Sequence, residues 1–353
     1  MENVQLIVID INFIKIRVIM DFFSLQWIQK YYDIGVFEIH CHSKYAMDLK
    51  KARYIYRKGI KNLGVINYFK LDNLKNDCMV KGSFVECVLF ERVINETITL
   101  TGTHENVARK LVEKFCISDS SRAIPHLKLG QINYLGSNVS LQRTGKSVYE
   151  AIKEILEEQE LWYKIDYDFN DDSLSFYVFQ GLDRSTDQNI NPWCIFSSEF
   201  YNLIEDVYTA QDDKKNYVYV AGQGSGEDRV TIEFGILDYE TDRRELYVDA
   251  RDLQQGDTMT DSEYKQLLID RGLIKLAQFN FNEGIEIKDY QVNSMDYEIG
   301  DLVTYVNSTL GIKATGRVSE IWEIFELDRQ EKFIKIGDKD LTITQIIKRL
   351  VIN

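Results

Sequence analysis

Proline is almost missing from this chain, with two in 353 residues, and glycine is modest at 20. This composition argues against disorder and against a long flexible linker. Long apolar runs are also lacking. The stretch from Leu6 to Ile9 is too short for a signal segment and is hemmed by Glu2, Asp10, Lys15, Arg17 and Asp21, and no later stretch approaches the ~18 apolar residues of a membrane span. Cysteines are few and scattered: Cys41, Cys78, Cys87, Cys116 and Cys194 are odd in number and form no CxxC pair, which fits reduced thiols in a cytosol. Positive charge is outweighed, 42 Lys and Arg against 56 Asp and Glu, for a net −14. Such a balance repels a phosphate backbone, so neither nucleic acid nor an anionic membrane is an expected partner.

Catalytic signatures are missing too. There is no G-x-S-x-G elbow, H-E-x-x-H helix or Walker A lysine, and no cysteine has a local catalytic signature. His40 and His42 stand at i and i+2 of an expected strand, on one face and about 7 Å apart. A catalytic zinc needs a third protein ligand. The remaining histidines, His104 and His126, fall in another module, and Cys41 points to the opposite face. Neither metal nor cofactor is expected. With 56 acidic residues, carboxylate pairs at any spacing arise by chance, and none is singled out for glycoside hydrolysis.

What the chain does hold is strand-forming sequence, with 21 Tyr and 18 Phe, in a length sufficient for two or three domains. Residues 1–95 read as strand-rich: Val4 to Ile9 and Ile14 to Met20 flank a turn at Asp10 and Asn12, followed by Leu25 to Tyr31 and Val36 to His42. A helix is expected over about Ala46 to Arg57, and periodicity does not decide between strand and helix for Ser83 to Ile94. Residues 96–200 are mixed α/β. Thr103 caps a helix burying Val107, Ala108, Leu111, Val112 and Phe115, and Ser147 with Glu150 opens a second. Trp162 to Asp168 and Leu174 to Gln180 pair across Asn170-Asp171-Asp172. Residues 201–340 are strand-rich again, with a helix at 261–279 opened by Thr260 and Glu263 and carrying Tyr264, Leu267, Leu268, Leu273 and Leu276. Strands are expected over Gly284 to Val292, Leu302 to Asn307, Ala314 to Phe325 and Lys332 to Ile336. An amphipathic helix is expected over 341–353.

The glycine-rich stretch VAGQGSGEDR looks like a phosphate cradle, but it opens a strand. A phosphate loop must open a helix, so Gly222, Gly224 and Gly226 are read as a wide hairpin connection. Following it, DRRELYVDARDL places Glu245, Tyr247, Asp249 and Arg251 on one face of a strand and Leu246, Val248 and Ala250 on the other. Arg229, Arg244, Glu245, Asp249, Arg251 and Asp252 are candidates for a structural or intersubunit ion-pair network. Gly181, Asp183 and Arg184 read as a turn with a buried arginine pair, and Gly300 with Asp301 as the turn before Leu302 to Asn307. Trp27, Tyr31 and Phe37, in a block that also holds Gly35 and Glu38, read as barrel core or as an apolar contact to a neighbouring subunit.

These blocks carry a family resemblance. VAGQGSGEDR and DRRELYVDARDL, with SLQWIQKYYDIGVFE, FYVFQGLDRSTDQN, and EIGDLVTYVN followed by GRVSEIWEI, stand in the order of the siphovirus-type phage tail-hub proteins, which also serve as baseplate hubs in contractile phage-tail-like bacteriocins. The chain stops about where the hub pattern stops, so no appended wall-degrading domain is expected. The resemblance implies an α+β, mostly β fold with two tube-like β-barrel domains flanking an inserted α/β module. It further implies a non-enzymatic homotrimer whose two barrels per subunit imitate sixfold geometry, with the tail tube protein, central spike protein, other baseplate proteins and tape measure as partners. Assembly in the bacterial cytoplasm and release by lysis are expected from the unpaired cysteines and from the lack of a signal segment or membrane span. The acidity serves solubility or an acidic lumen, and the sequence does not say which face carries it. From other classes, the alternatives are a tail-tip cell-wall hydrolase and a carbohydrate-binding tail protein.

Overall fold

The computed structural model describes residues 4–337 apart from 201, 213, 237–238, 257–258, 277–278, 280 and 290–295. The helix expected over 341–353, and residues 290–292 of an expected strand, lie outside them. Among the described residues two compact units emerge, one of residues 4–207 with 285–337 and one of residues 208–284.

The fold is mostly β within an α+β class. Its main sheet runs, neighbour by neighbour, through Leu203–Asp212, Phe281–Asp289, Gln330–Ile336, Ile312–Glu326, Phe22–Lys30, Val36–His42, Asp77–Phe84, Leu63–Asp72, Tyr54–Arg57, Leu6–Ile9 and Lys15–Ile19. Leu302–Asn307 joins it through Ile312–Glu326, and Ile195–Ser197 joins through Leu302–Asn307. Among the described residues no strand path closes into a barrel. A central seam brings the two ends of the chain together: Ser24 to Lys30 lie antiparallel to Glu320 to Glu326, with Lys30 opposite Glu320 and Ser24 opposite Glu326.

Period-2 alternation sets the faces. In Val36–His42, Phe37, Ile39 and Cys41 are buried while Val36, Glu38, His40 and His42 are not. The helix expected over Ala46 to Arg57 is shorter, and we call it α1, Ala46–Lys51. The chain turns extended at Ala52, and Tyr54, Ile55 and Tyr56 fill the slot between Leu6–Ile9 and Leu63–Asp72. Their β-branched and aromatic side chains suit that buried pleat better than a short helix. The ambiguous stretch after Ser83 ends its strand at Phe84 and continues as a 3-10 helix, Val85–Glu91.

In the mixed region, α2 (His104–Val112) is capped by Thr103, whose hydroxyl accepts from the Asn106 amide at 3.3 Å. The next helix, α3 (Val148–Glu157), opens on a complete capping box between Ser147 and Glu150. Val107, Ala108, Leu111, Val112 and Phe115, the apolar set expected after Thr103, are all buried. The hairpin Trp162–Asp168 with Ser173–Phe179 pairs in parallel with Leu127–Leu129.

The second unit is a three-stranded sheet in the order Thr231–Gly235, Tyr217–Ala221, Glu245–Asp249. One face packs against α4 (Asp261–Leu276). Val218, Val220, Val248 and Ala250 meet Tyr264, Leu268 and Leu276 there. The expected stripe is corrected at Leu267, which is exposed. The helix instead presents Tyr264, Leu268, Gly272 and Leu276, spaced by four, because a side chain at 272 would stand 2.7 Å from Val220.

Candidate functional site

Residues from separate sequence blocks meet beside the seam. Asp301, almost fully buried, accepts from the Leu182 amide at 2.7 Å, the Glu298 amide at 3.0 Å and Arg184 Nε at 2.9 Å. Three donors converge on one carboxylate, so the turn before Leu302–Asn307 and the segment from Leu182 to Arg184 are fastened to one another. Backbone bonds continue the junction: Leu302 N donates to Leu182 O at 2.9 Å and Arg184 N to Leu302 O at 2.8 Å. Asp183 turns the chain by accepting from the Ser185 amide at 2.9 Å.

The glycines make this closeness possible. A Cβ at Gly181 would lie 1.9 Å from the Gly300 carbonyl oxygen, and one at Gly300, which has φ +92°, would lie 2.4 Å from the Tyr31 ring. Gly181→Ala is expected to cost about 1–3 kcal/mol through overpacking against backbone that has no rotamer to give. A thermal melt checks this, and an unchanged midpoint would show that the two segments part freely.

Two charged partners of this junction escape sequence reasoning. Arg317, 1% exposed, donates to the Gly300 carbonyl at 2.6 Å and to Glu160 Oε2 at 2.9 Å, and its guanidinium lies 5.1 Å from the Tyr31 ring centre. The Tyr31 hydroxyl donates to the Glu160 carbonyl at 2.9 Å, and burial pushes its phenol up to about 12. Arg317 follows Gly316 inside a resembling block, which is a signal. Glu160 gives none.

Trp27, Tyr31 and Phe37 are all buried within the single chain. Trp27 packs 4.8 Å from Phe84 and 5.6 Å from Phe37, between ring centres, and Gly35 leaves room for Phe84, since a Cβ there would meet its ring at 2.4 Å. Glu38 is on the other face, paired with Lys81 at 2.7 Å and His40 at 2.9 Å. The second ring nitrogen of His40 faces Asp77 at 3.1 Å, and His42 bonds to Asn76.

In the second unit the glycine-rich stretch is the connection of a hairpin between Tyr217–Ala221 and Thr231–Gly235. Gly224 and Gly226 have φ of +95° and +58°. Gly222 lets Tyr264 approach, its hydroxyl donating to the Leu253 carbonyl and accepting from the Gln223 amide, each at 2.8 Å. Arg229 folds back to the Ala221 carbonyl at 2.8 Å and to Asp249 at 2.6 Å. Outward, a ladder runs along the sheet: Arg244 to Asp242 at 2.8 Å, Arg243 to Glu245 at 2.7 Å, Arg251 to Asp249 at 2.6 Å and Arg271 to Asp252 at 2.8 Å. Arg251 holds the Asp249 carboxyl well below the usual carboxylate range. Such exposed pairs organise a surface more than they stabilise it.

In the first unit, a cleft of about 390 Å³ is lined by residues including Lys61, Asp166, Tyr177, Glu298, Glu323 and Lys332. Two of its carboxylates are engaged. Asp166 accepts from Tyr177 at 2.8 Å and pairs with Lys61 at 3.1 Å, and Arg57 grips Glu323 with both terminal nitrogens, at 2.6 and 3.1 Å.

No curated protein matches the chain. Among solved structures it is similar to the tail protein from Neisseria meningitidis MC58, with 12% identity, a TM-score of 0.57 and coverage of 98% of this chain and 99% of that one. The prophage tail protein gp18 from Listeria monocytogenes EGD-e gives 12% identity, a TM-score of 0.52 and coverage of 99% and 100%. The 43 kDa tail protein of prophage MuSo2 from Shewanella oneidensis gives 11%, 0.54, and 97% and 99%. These likenesses are of fold. The family described as siphovirus ReqiPepy6 Gp37-like protein matches residues 5–338, which takes in the seam, the Asp301 junction and the charged ladder alike, and the chain belongs to this family of siphovirus tail proteins.

Proposed function

We propose that this tail protein is a structural hub without catalytic activity: a homotrimer forming a pseudo-sixfold ring that joins the hexameric tail tube to a central spike. Other baseplate proteins and the tape measure are its further neighbours, assembly takes place in the bacterial cytoplasm, and lysis releases the particle. The observation that carries this reading is the seam between Ser24 to Lys30 and Glu320 to Glu326. It sets an N-terminal set of strands and a C-terminal set side by side in one sheet, and three copies of such a pair supply six sets around an axis. In this reading the tube-like domains are residues 1–95 and 201–340, residues 96–200 brace them, and the tube walls are completed between copies. Among the described residues the outer strand Lys15–Ile19 has an unpaired edge, with an exposed Val18 and with Ile11 and Ile14 exposed before it, which favours pairing with another chain over solvent.

Light scattering on the purified protein tests the reading, with an expected mass three times the 41.3 kDa of the chain. A monomer at every concentration would overturn it. Peptidoglycan release measured on the same sample separates the hydrolase alternative, and none is expected.

A further inference from the structure

We propose that Cys41 and Cys78 form an oxidisable pair, which a hydroperoxide converts to a cross-strand disulfide stapling Val36–His42 to Asp77–Phe84. The two residues are direct antiparallel partners, Cys41 opposite Cys78. Directly opposed residues have Cα atoms about 4.5–5.5 Å apart, within the range a disulfide spans. Both side chains are buried on the same face of the sheet, and the Cys41 thiol donates to the Cys78 carbonyl at 3.6 Å. Both thiols are free in the structure.

The position of the pair supplies access. Cys41 is one residue from the end of its strand and Cys78 one residue from the start of its own. Strand ends open locally at low cost, so a small oxidant reaches thiols that the closed sheet conceals. Burial pushes the Cys41 thiol up to about 12 and raises Cys78 as well, with the neighbouring Cys41 thiol working to lower Cys78. Cys78 is therefore the first nucleophile, and the reaction is slow.

The chemistry balances with one hydrogen peroxide per pair. The Cys78 thiolate attacks one peroxide oxygen, the O–O bond breaks, and the departing hydroxide takes a proton to become water, leaving a sulfenic acid. Cys41 sulfur then attacks the Cys78 sulfur, the S–S bond forms, the S–O bond breaks, and the hydroxide leaves with the Cys41 proton as a second water. Two thiols are oxidised and one peroxide is reduced.

The test treats the folded protein with hydrogen peroxide over hours, then denatures it, alkylates the remaining thiols and maps the peptides without reduction. A linked pair of peptides containing Cys41 and Cys78 is expected, about 2 Da lighter than the reduced pair. Three of the five cysteines remain outside the cross-link. Dithiothreitol reverses it, the oxidised protein melts at a higher temperature, and neither Cys41→Ala nor Cys78→Ala gains that shift. Recovery of Cys41 and Cys78 fully alkylated while the half-exposed Cys87 is oxidised would overturn the proposal, and so would a linkage through Cys87.

Discussion

Asp301→Ala is expected to destabilise the protein by about 3–5 kcal/mol, the range for removing one partner of a buried ion pair. The loss has two sources. Arg184, whose side chain is 14% exposed, keeps its charge without the carboxylate 2.9 Å away. The Leu182 and Glu298 amides lose their acceptor at the same time. Asp301→Asn separates the two, because an amide oxygen still accepts from one backbone amide while the charge pair is gone. Urea unfolding read by tryptophan fluorescence measures the effect, with exposed Glu227→Ala as the comparison. If the two alanine variants shift the midpoint equally, the junction contributes nothing particular.

Glu86→Gln should change how stability depends on pH. Burial raises the Glu86 carboxyl from 4.5 to about 7, with the backbone amide of Ile165 3.3 Å from Oε1, while Oε2 has no hydrogen-bond partner among the described residues. An acid whose folded pKa lies above its unfolded value binds more protons in the native state between the two. Stability therefore falls as pH rises from 4.5 to about 7 and is level beyond it. A shift of that size corresponds to about 3 kcal/mol lost across the window. Glutamine keeps an acceptor for Ile165 and carries no charge. The variant should match the parent at pH 4 and melt well above it at pH 8. Parallel pH profiles for the two proteins would mean that water or movement relieves the buried charge.

Legibility in the sequence followed the range of the interaction. The caps at Thr103, Ser147 and Thr260 span three residues each and appear where the spacing places them. The glycine-rich hairpin was readable because its following strand is local. Arg317 with Glu160 is different: they are 157 positions apart, and no periodicity links them. Ala46 to Arg57 failed for the converse reason, since Tyr54 to Tyr56 take their conformation from strands elsewhere in the chain rather than from α1. The strand Leu63–Asp72, for which the sequence offers no expectation, and Asp77–Phe84, of which only Ser83 and Phe84 fall in the ambiguous stretch, form a ribbon with an exposed tip at Leu74, where apolar alternation fades. At the Asp301 junction, the glycines and acid were visible as turn formers one block at a time, and only the fold shows that Gly181 and Gly300 touch.

The seam also has a consequence for biosynthesis. Phe22–Lys30 leaves the ribosome well before one of its neighbours, Ile312–Glu326. Until then an apolar strand waits with an unsatisfied side, and contacts this distant in sequence form slowly once both are present. Folding of the first unit thus waits, in its decisive step, for residues 312–326, and a nascent chain interrupted before residue 312 is the form most prone to aggregate.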